Sequence, residues 1–175
     1  MSDSNGFRRK PWCVDGGIPE LEHRKYAKAY RESEDYAEGV HLYFGDVHKH
    51  SSLSPCAKVN PYNGTLAECY CHARTVAGTD FLAICDHAER MTEGQWSESM
   101  GLARETTVPG EFIAWPAVEW ATPLYGHRNI YFRDYDVPLI SGREITSPPK
   151  LWEHIRALGL DALTIPHHAA RELSA

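Results

Sequence analysis

The stretch from His41 to His50, HLYFGDVHKH, carries the strongest indication of fold and chemistry in this chain. Leu42 to Phe44 form a short run of good strand formers, and two histidines, His48 and His50, follow it. Because alternate side chains of a strand share a face, the two imidazoles should lie side by side, where they can chelate one transition metal ion. The same residues also fit a surface turn, so the choice between a metal site and a turn depends on the rest of the sequence.

The composition fits one globular domain. At 175 residues, with 42% hydrophobic and 24% charged residues, the chain can bury a sizeable core. A formal net charge of −6 argues against a nucleic-acid-binding surface. The unusual feature is a total of ten histidines, several of them beside an acid or another histidine.

The cysteines and the first residues indicate a cytoplasmic protein. The five cysteines are odd in number and include no Cys-x-x-Cys pair, which fits a reducing compartment better than a disulfide framework. The first ten residues, MSDSNGFRRK, are polar, and no apolar signal-peptide core follows them. No apolar run reaches the length that spans a bilayer, so no membrane partner is expected.

The chain divides into a polar N-terminal arm, residues 1–39, and one domain, residues 40–175. Within the domain, apolar runs of strand length alternate with helical patterns. The predicted strands are 42–44, 80–85, 111–118, 129–132 and 162–166, and the predicted helices are 65–76, 93–107 and 148–158. This alternation predicts a parallel sheet with helical crossovers, in which Pro116 marks a bulge or an edge position.

The run Cys69-Tyr70-Cys71-His72 has the residue types of a metal site but not the geometry. It falls within a predicted helix, where residues two apart point in nearly opposite directions around the axis. Cys69 and Cys71 are therefore interpreted as structural residues.

Residues of metal-ligand type follow the apolar runs in a repeated phase. The positions are His48 and His50, Asp86 and His87, Glu119, and His167 and His168. In βα barrels and open α/β sheets, functional sites are built at the carboxyl ends of the strands. The set is large enough for at least two metal ions, and Glu119 suits a bridging role because each carboxylate oxygen can hold one ion. Asp46, on the face of the first two histidines, could orient a ligating imidazole.

Five stretches together resemble the PHP (polymerase and histidinol phosphatase) superfamily of metal-dependent phosphoesterases. They are YFGDVHKHSSLS, DFLAICDHAE, PAVEW, GHRNIYF and LTIPHH, which lie between residues 43 and 168 in the family's order. The chain looks closest to an uncharacterised branch that reads Tyr-Phe-Gly-Asp-x-His-x-His early and Ile-Pro-His-His later. The resemblance implies a distorted βα barrel of seven strands, with two or three metal ions at their carboxyl ends.

The resemblance also assigns ligands to three metal ions. His48 and His50 would hold the first ion, and Glu119 would bridge it to the second. The remaining assignments are His127 and His167 for the second ion, and His87, supported by Asp86, for the third. Zn, Mn and Fe all suit such a site.

One ligand position departs from the family pattern. The family usually places an Asp or His five or six residues after the second histidine, where this chain has Pro55 and Cys56. Cys56 is then either a thiolate ligand, with an altered metal preference, or a buried loop thiol. The sequence alone leaves both interpretations open.

The end of the sequence departs from the pattern as well. The family closes its site with a late Asp-x-His, and no such motif follows His168. Without the arm, about 135 residues remain, whereas a βα barrel usually needs about 200 or more. We therefore expect residues 40–175 to be the N-terminal portion of such a domain, a C-terminally incomplete barrel whose open sheet edges favour self-association and weak metal binding.

These assignments predict a metal-dependent hydrolase that acts on a small phosphate ester. Two ions would lower the pKa of a bridging water to give hydroxide and would clamp the attacking and leaving oxygens. His168 could pass a proton to the leaving oxygen, and Arg90 and Arg128 could bind phosphate oxygens or be solvated surface residues. The alternatives are a hydrolase of the same fold with a non-phosphate substrate, and a metal-binding module without activity.

Overall fold

The computed structural model describes residues 43–56 and 64–167, so the predicted arm, residues 1–39, lies outside the described residues. Six strands, three α-helices and two short helical turns are found within these ranges. In chain order they are β1 (Gly45–Lys49), α1 (Leu66–Cys71) with a π-helical turn (His72–Val76), β2 (Phe81–Ile84), a 3-10 turn (Ala88–Arg90), α2 (Glu93–Thr106), β3 (Ile113–Trp115), β4 (Ala117–Thr122), β5 (Gly126–Phe132), α3 (Pro148–Ala157) and β6 (Ala162–His167).

The first sheet contains β1, β2 and β3 in that order, and the strands are parallel. α1 and the π-helical turn lie between β1 and β2 in the chain, and α2 lies between β2 and β3. This is the crossover arrangement that the alternating pattern predicts, and it brings the carboxyl ends of the strands to one edge. The strand predicted at 42–44 is wrong in its bounds, since Tyr43 and Phe44 precede β1, which begins at Gly45. β1 has a register irregularity between Asp46 and Lys49, close to the histidines.

The second sheet contains β4, β5 and β6, and both of its strand pairs are antiparallel. The predicted parallel arrangement is wrong here. Residues 123–125 alone separate β4 from β5, and Gly126 has a φ of 70°. A parallel crossover needs about a dozen residues or more. A connection of this length can therefore form only a hairpin between antiparallel strands.

Pro116 separates the two sheets. β3 ends at Trp115 in the first sheet, and β4 begins at Ala117 in the second. Proline has no backbone N–H to donate to a strand ladder, so the run 111–118, predicted as one strand, is divided at this residue. The Pro116 carbonyl accepts a hydrogen bond of 2.9 Å from the Phe132 N–H, which ties the break to β5.

The predicted distorted βα barrel is not what the described residues form. They make two three-stranded sheets and no closed barrel. Closure requires each strand to have two neighbours, whereas within the described residues β1 pairs with β2 alone and β6 with β5 alone. The fold class is corrected to a mixed α/β arrangement of one parallel and one antiparallel sheet.

Each sheet has its own apolar core. One cluster joins α2 and α3 to the second sheet, and another joins α1 and α2 to the first. Val118 and Trp120 of β4 are fully buried in the cluster with the helices. Because side chains alternate along a strand, Glu119 between them faces the other side, toward the first sheet. Full burial of an aliphatic side chain such as Val118 contributes about 1.5 to 3 kcal/mol, so this alternation strongly fixes the direction of Glu119.

The longest described helix, α2, has 14 residues and a well-defined start. The Thr92 hydroxyl accepts a hydrogen bond from the Gln95 N–H at 3.2 Å, and the Gln95 side-chain oxygen accepts one from the Thr92 N–H at 2.9 Å. In the part of the chain that the structure describes, no helix combines the length and the apolar character needed to cross a bilayer.

Candidate metal centre

One buried carboxylate lies at the centre of a group of imidazoles. The side chain of Glu119 is 1% exposed, and its two oxygens face different histidines. We call this group the histidine cluster: Glu119 with His48, His50, His87, His127 and His167. The structure thus brings together the residues that the sequence predicted as metal ligands, with Cys56 beside them.

β1 delivers two of the imidazoles. His48 and His50 stack with ring centroids 4.9 Å apart and Nε2 atoms 2.8 Å apart. Both Nε2 atoms approach Oε2 of Glu119, at 2.9 Å for His50 and 3.2 Å for His48. Two nitrogens and one carboxylate oxygen therefore converge within the distance at which a single ion can be held.

The other oxygen of Glu119 faces histidines of the second sheet. Oε1 is in close contact with Nδ1 of His127 and lies 3.1 Å from Nε2 of His167. His127 and His167 are direct partners across β5 and β6, and Ala121, two residues beyond Glu119 in β4, is the partner of His127 on the other side. Cross-strand register therefore places the side chains of Glu119, His127 and His167 on one face of the sheet.

The cluster lies where the two sheets meet. His87, just after β2, forms a parallel bridge with Glu119, and the Glu119 N–H donates to the Asp86 carbonyl at 3.0 Å. Nδ1 of His87 lies 3.6 Å from Oε1 of Glu119. A ligand held by the whole cluster would therefore contact residues of both sheets.

The surroundings of Glu119 keep it ionised. Burial of the carboxyl opposes its charge, but contacts with His167, His48 and His50 outweigh burial and hold the pKa of Glu119 far below its ordinary value. Glu89 has a corresponding effect on a base: its Oε1 lies 3.0 Å from His87 Nδ1 and raises the pKa of that imidazole, against the effect of burial. The centre of the cluster is thus a buried anion surrounded by basic groups.

Cys56 lies on the far side of His50. Its Sγ is 3.2 Å from His50 Nδ1, and ligand atoms of Cys56, His50 and His87 lie within 4.8 Å of one another. Cys56 is exposed, so the alternative of a buried loop thiol is wrong. Since an imidazole has two ring nitrogens, His50 can face Glu119 through Nε2 and Cys56 through Nδ1.

The two predicted supporting carboxylates bind backbone and hydroxyl groups. Asp46 Oδ1 accepts a hydrogen bond of 2.8 Å from the backbone N–H of His48. Asp86 is 2% exposed and accepts hydrogen bonds from the N–H and hydroxyl of Ser51 and from the hydroxyl of Ser54. Asp86 therefore anchors the loop between His50 and Cys56, and its support of the cluster acts through the backbone.

The structure does not bring the predicted substrate-binding Arg128 to the cluster. Arg128 is next to His127 in β5 and points to the opposite face, where its guanidinium lies 5.7 Å from the centroid of the Trp152 ring. Arg90 is exposed at the end of the 3-10 turn that follows His87. His168, the predicted proton donor, lies outside the described residues.

Three residues beside the cluster were missed by the sequence analysis. Glu89 contacts His87, and Asn129 and Tyr131 lie on the face of β5 that carries His127. Glu89 had a usable signal, since it stands two residues after His87 in the motif DHAE. Asn129 and Tyr131 lie in a strand-forming run, where neither residue type nor spacing distinguishes them.

Comparison of the chain with protein-family models, curated proteins and solved structures gives no match. The geometry of the cluster and the sequence motifs are therefore the indications of its chemistry. The resemblance to the PHP superfamily stays a prediction.

Proposed function

We propose that the histidine cluster is a metal centre that holds two divalent ions. The observation that carries this proposal is that the two oxygens of Glu119 contact different histidines. Oε2 faces His48 and His50, whereas Oε1 faces His127 of β5 and His167 of β6. A carboxylate between two groups of imidazoles is a donor set suited to Zn, Mn or Fe.

The donor atoms fit divalent cations in kind and in number. Oε2 of Glu119 is accompanied by the nitrogens of His48 and His50, and Oε1 by those of His127 and His167, with His87 at 3.6 Å. Catalytic zinc sites commonly use three protein ligands, which each side can supply. The Nε2 atoms of His48 and His50 lie 2.8 Å from each other, an arrangement that a shared cation would stabilise. Cys56 with His50 and His87 offers a third group, in which a thiolate would favour Zn or Fe over Mn.

We further propose that this centre hydrolyses small phosphate esters. Bound divalent ions would supply Lewis-acid activation of water and of a phosphoryl oxygen. Within the chain, Glu119 balances positive charge at the centre, and Glu89, with its Oε1 3.0 Å from Nδ1 of His87, favours a proton on that nitrogen. The choice of phosphate depends on the motif resemblance to the PHP superfamily. The cytoplasmic location predicted from the cysteines is not part of this proposal, because Cys71 is disulfide-bonded and disulfides are rare in reducing compartments.

Hydrolysis of nitrophenyl phosphates tests the proposal. Wild type, Glu119→Gln and Arg128→Ala are each supplied with Mn²⁺, Fe²⁺ or Zn²⁺ and assayed with mono- and bis-nitrophenyl phosphate. We expect metal-dependent turnover by wild type and by Arg128→Ala, whose side chain lies on the other face of β5. Glu119→Gln should lose it.

Nitrophenyl acetate, assayed in parallel, separates the alternatives. Turnover of the carboxylic ester alone would replace the phosphoesterase with a hydrolase of another substrate class. Bound metal without turnover of any ester would leave a metal-binding protein that lacks activity.

A further inference from the structure

A hydrogen bond crosses between the two sheets next to the first pair of histidines. The Tyr131 hydroxyl, on β5, donates to the Val47 carbonyl of β1 at 2.8 Å, and the Cys85 thiol donates to the same carbonyl at 3.3 Å. Val47 directly precedes His48. Tyr131 is 2% exposed and packs with Ala83, Cys85 and Ala117, so its ring has little freedom to move.

Asn129 extends this contact toward Glu119. Its Nδ2 donates to the Tyr131 hydroxyl at 2.9 Å, and Asn129 is the direct partner of Glu119 across β4 and β5. The hydroxyl gives its only proton to the Val47 carbonyl, which can only accept, so the amide must present its NH₂ group to Tyr131. The direction of the whole chain of hydrogen bonds is therefore fixed.

The amide makes this contact at a cost. Asn129 is 3% exposed, and its Oδ1 is buried with no hydrogen-bond partner among the described residues. A leucine of similar size would fill the same space without a buried unpaired oxygen. The presence of an asparagine is thus better explained by the hydrogen bond that its NH₂ group donates than by packing.

The contact matters because, in the described residues, the parallel bridge that joins the backbones of the two sheets at the cluster runs between His87 and Glu119 and does not include β1. His48 lies in β1 and His50 directly follows it. The ladder partner of β1 within the described residues is β2, whereas Glu119 belongs to the second sheet. His127, His167 and Glu119 all belong to the second sheet, and strand pairing already holds them in place.

We infer that Asn129 and Tyr131 are positioning residues that hold the two histidines of β1 against Glu119. This inference rests on the proposed metal centre. Loss of the Tyr131 hydroxyl leaves the Val47 carbonyl without its shorter hydrogen bond and lets β1 move away from Glu119. Metal binding at His48 and His50 then weakens, while binding at His127 and His167 is retained.

Calorimetric titration of the metal-free protein with Zn²⁺ tests this inference. Tyr131→Phe removes the hydroxyl, and Asn129→Asp offers a carboxylate that draws the hydroxyl proton away from Val47. Tyr135→Phe is the matched control, because its hydroxyl also contacts a backbone carbonyl, that of Ala114 at 3.3 Å, and the Thr107 hydroxyl at 2.7 Å. Circular dichroism verifies that each variant is folded.

We expect wild type to bind two ions, and Tyr135→Phe to bind each of them with the wild-type affinity. In Tyr131→Phe and Asn129→Asp, one affinity should fall by about 10- to 100-fold, the range found when a residue that supports a ligand is removed, and the other should stay within about twofold. A purely structural role would lower both affinities together or neither.

The outcomes separate this inference from the proposed function. A wild type that binds no metal would overturn both. A wild type that binds two ions, with Tyr131→Phe and Asn129→Asp unchanged or weakened equally at both, would overturn the positioning role alone. If Tyr131→Phe does not fold, Asn129→Asp, which keeps the tyrosine ring, decides by the same criterion.

Discussion

The two sheets supply the histidine cluster in different ways. In the parallel sheet, strand direction places the histidines of the cluster, because His48, His50 and His87 all lie at or just after the carboxyl ends of their strands. In the antiparallel sheet, pairing between strands brings the residues of the cluster together. Glu119 lies within β4, His127 near the start of β5 and His167 at the end of β6. The strand-end rule thus holds for parallel sheets, whereas in an antiparallel sheet the cross-strand partner is the better guide.

The contacts between the two sheets differ from the contacts that stabilise each sheet. Each sheet packs in a large apolar cluster, and α2 contributes side chains to both clusters. The cluster between them is smaller and contains Ala83, Cys85, Ala117 and Tyr131. Polar contacts centred on Glu119 complete the junction, so we expect metal binding to stabilise the docking of one sheet on the other.

The largest effect is expected from Glu119→Gln, which removes the charge shared by the two sides. Supporting residues alone change metal affinity by about 10- to 100-fold, so loss of a shared ligand should exceed about 100-fold for both ions. Competition with a chelating dye measures the affinities. Glu111→Gln is the control, since that exposed carboxylate pairs with Arg74 at the surface. Near wild-type affinity in Glu119→Gln would show that the sheets do not share an ion through this residue.

Removal of metal should have the next largest effect. At a free metal concentration about 100 times Kd, binding stabilises the folded state by about 2.7 kcal/mol, equivalent to about 5 to 11 °C in Tm for a chain of this size. Thermal melts with added Zn²⁺ and with a chelator measure this difference. An equal shift in Glu119→Gln would place the responsible site elsewhere in the chain.

Asp86→Asn should have a smaller effect than Glu119→Gln. The amide cannot accept all the hydrogen bonds that the buried carboxylate takes from Ser51 and Ser54, a loss of about 1 to 3 kcal/mol in the free energy of unfolding. Metal affinity should fall by about 10- to 100-fold, because the loop after His50 is less well held. Denaturant unfolding and metal titration measure the two quantities. If Asp86→Asn proved more damaging to metal binding than Glu119→Gln, the roles would be reversed.

The smallest effect concerns the edge of the cluster, at Cys56. Bound Zn²⁺ should slow alkylation of this exposed thiol if it is a ligand. Cys69 and Cys85 serve as internal controls, because burial raises the pKa of both thiols and should keep them unmodified while the protein is folded. Peptide mapping by mass spectrometry reads all three sites. Equal rates at Cys56 with and without metal would remove it from the ligand set.

Much of the first sheet could be predicted from the sequence, and the orientation of the second could not. Apolar runs separated by helical patterns of ordinary length predict a parallel arrangement, and β1, β2 and β3 adopt it. The short link at 123–125 was the signal for a hairpin, but the strand before it was predicted to end at Val118 and the one after it to begin at Asn129. Because both predicted strands were too short, the link between them looked long enough for another arrangement.

The grouping of the histidines around Glu119 could be predicted because these residue types are scarce, whereas their neighbours Asn129 and Tyr131 could not be predicted. Histidines and a glutamate after apolar runs are unusual enough to be noticed without coordinates. Arg128 was assigned to the site because it is next to His127, but adjacent residues of a strand face opposite ways. Asn129 and Tyr131 act through contacts to another sheet, which local sequence does not encode.

The central claim is that ions are bound on both sides of Glu119, one by each sheet. Elemental analysis of wild type, His48→Ala/His50→Ala and His127→Ala/His167→Ala tests it most directly, after excess metal has been removed. We predict about two Zn, Fe or Mn ions per wild-type chain and a clear loss in each double variant. Equal metal content in all three proteins, or none in wild type, would contradict the claim.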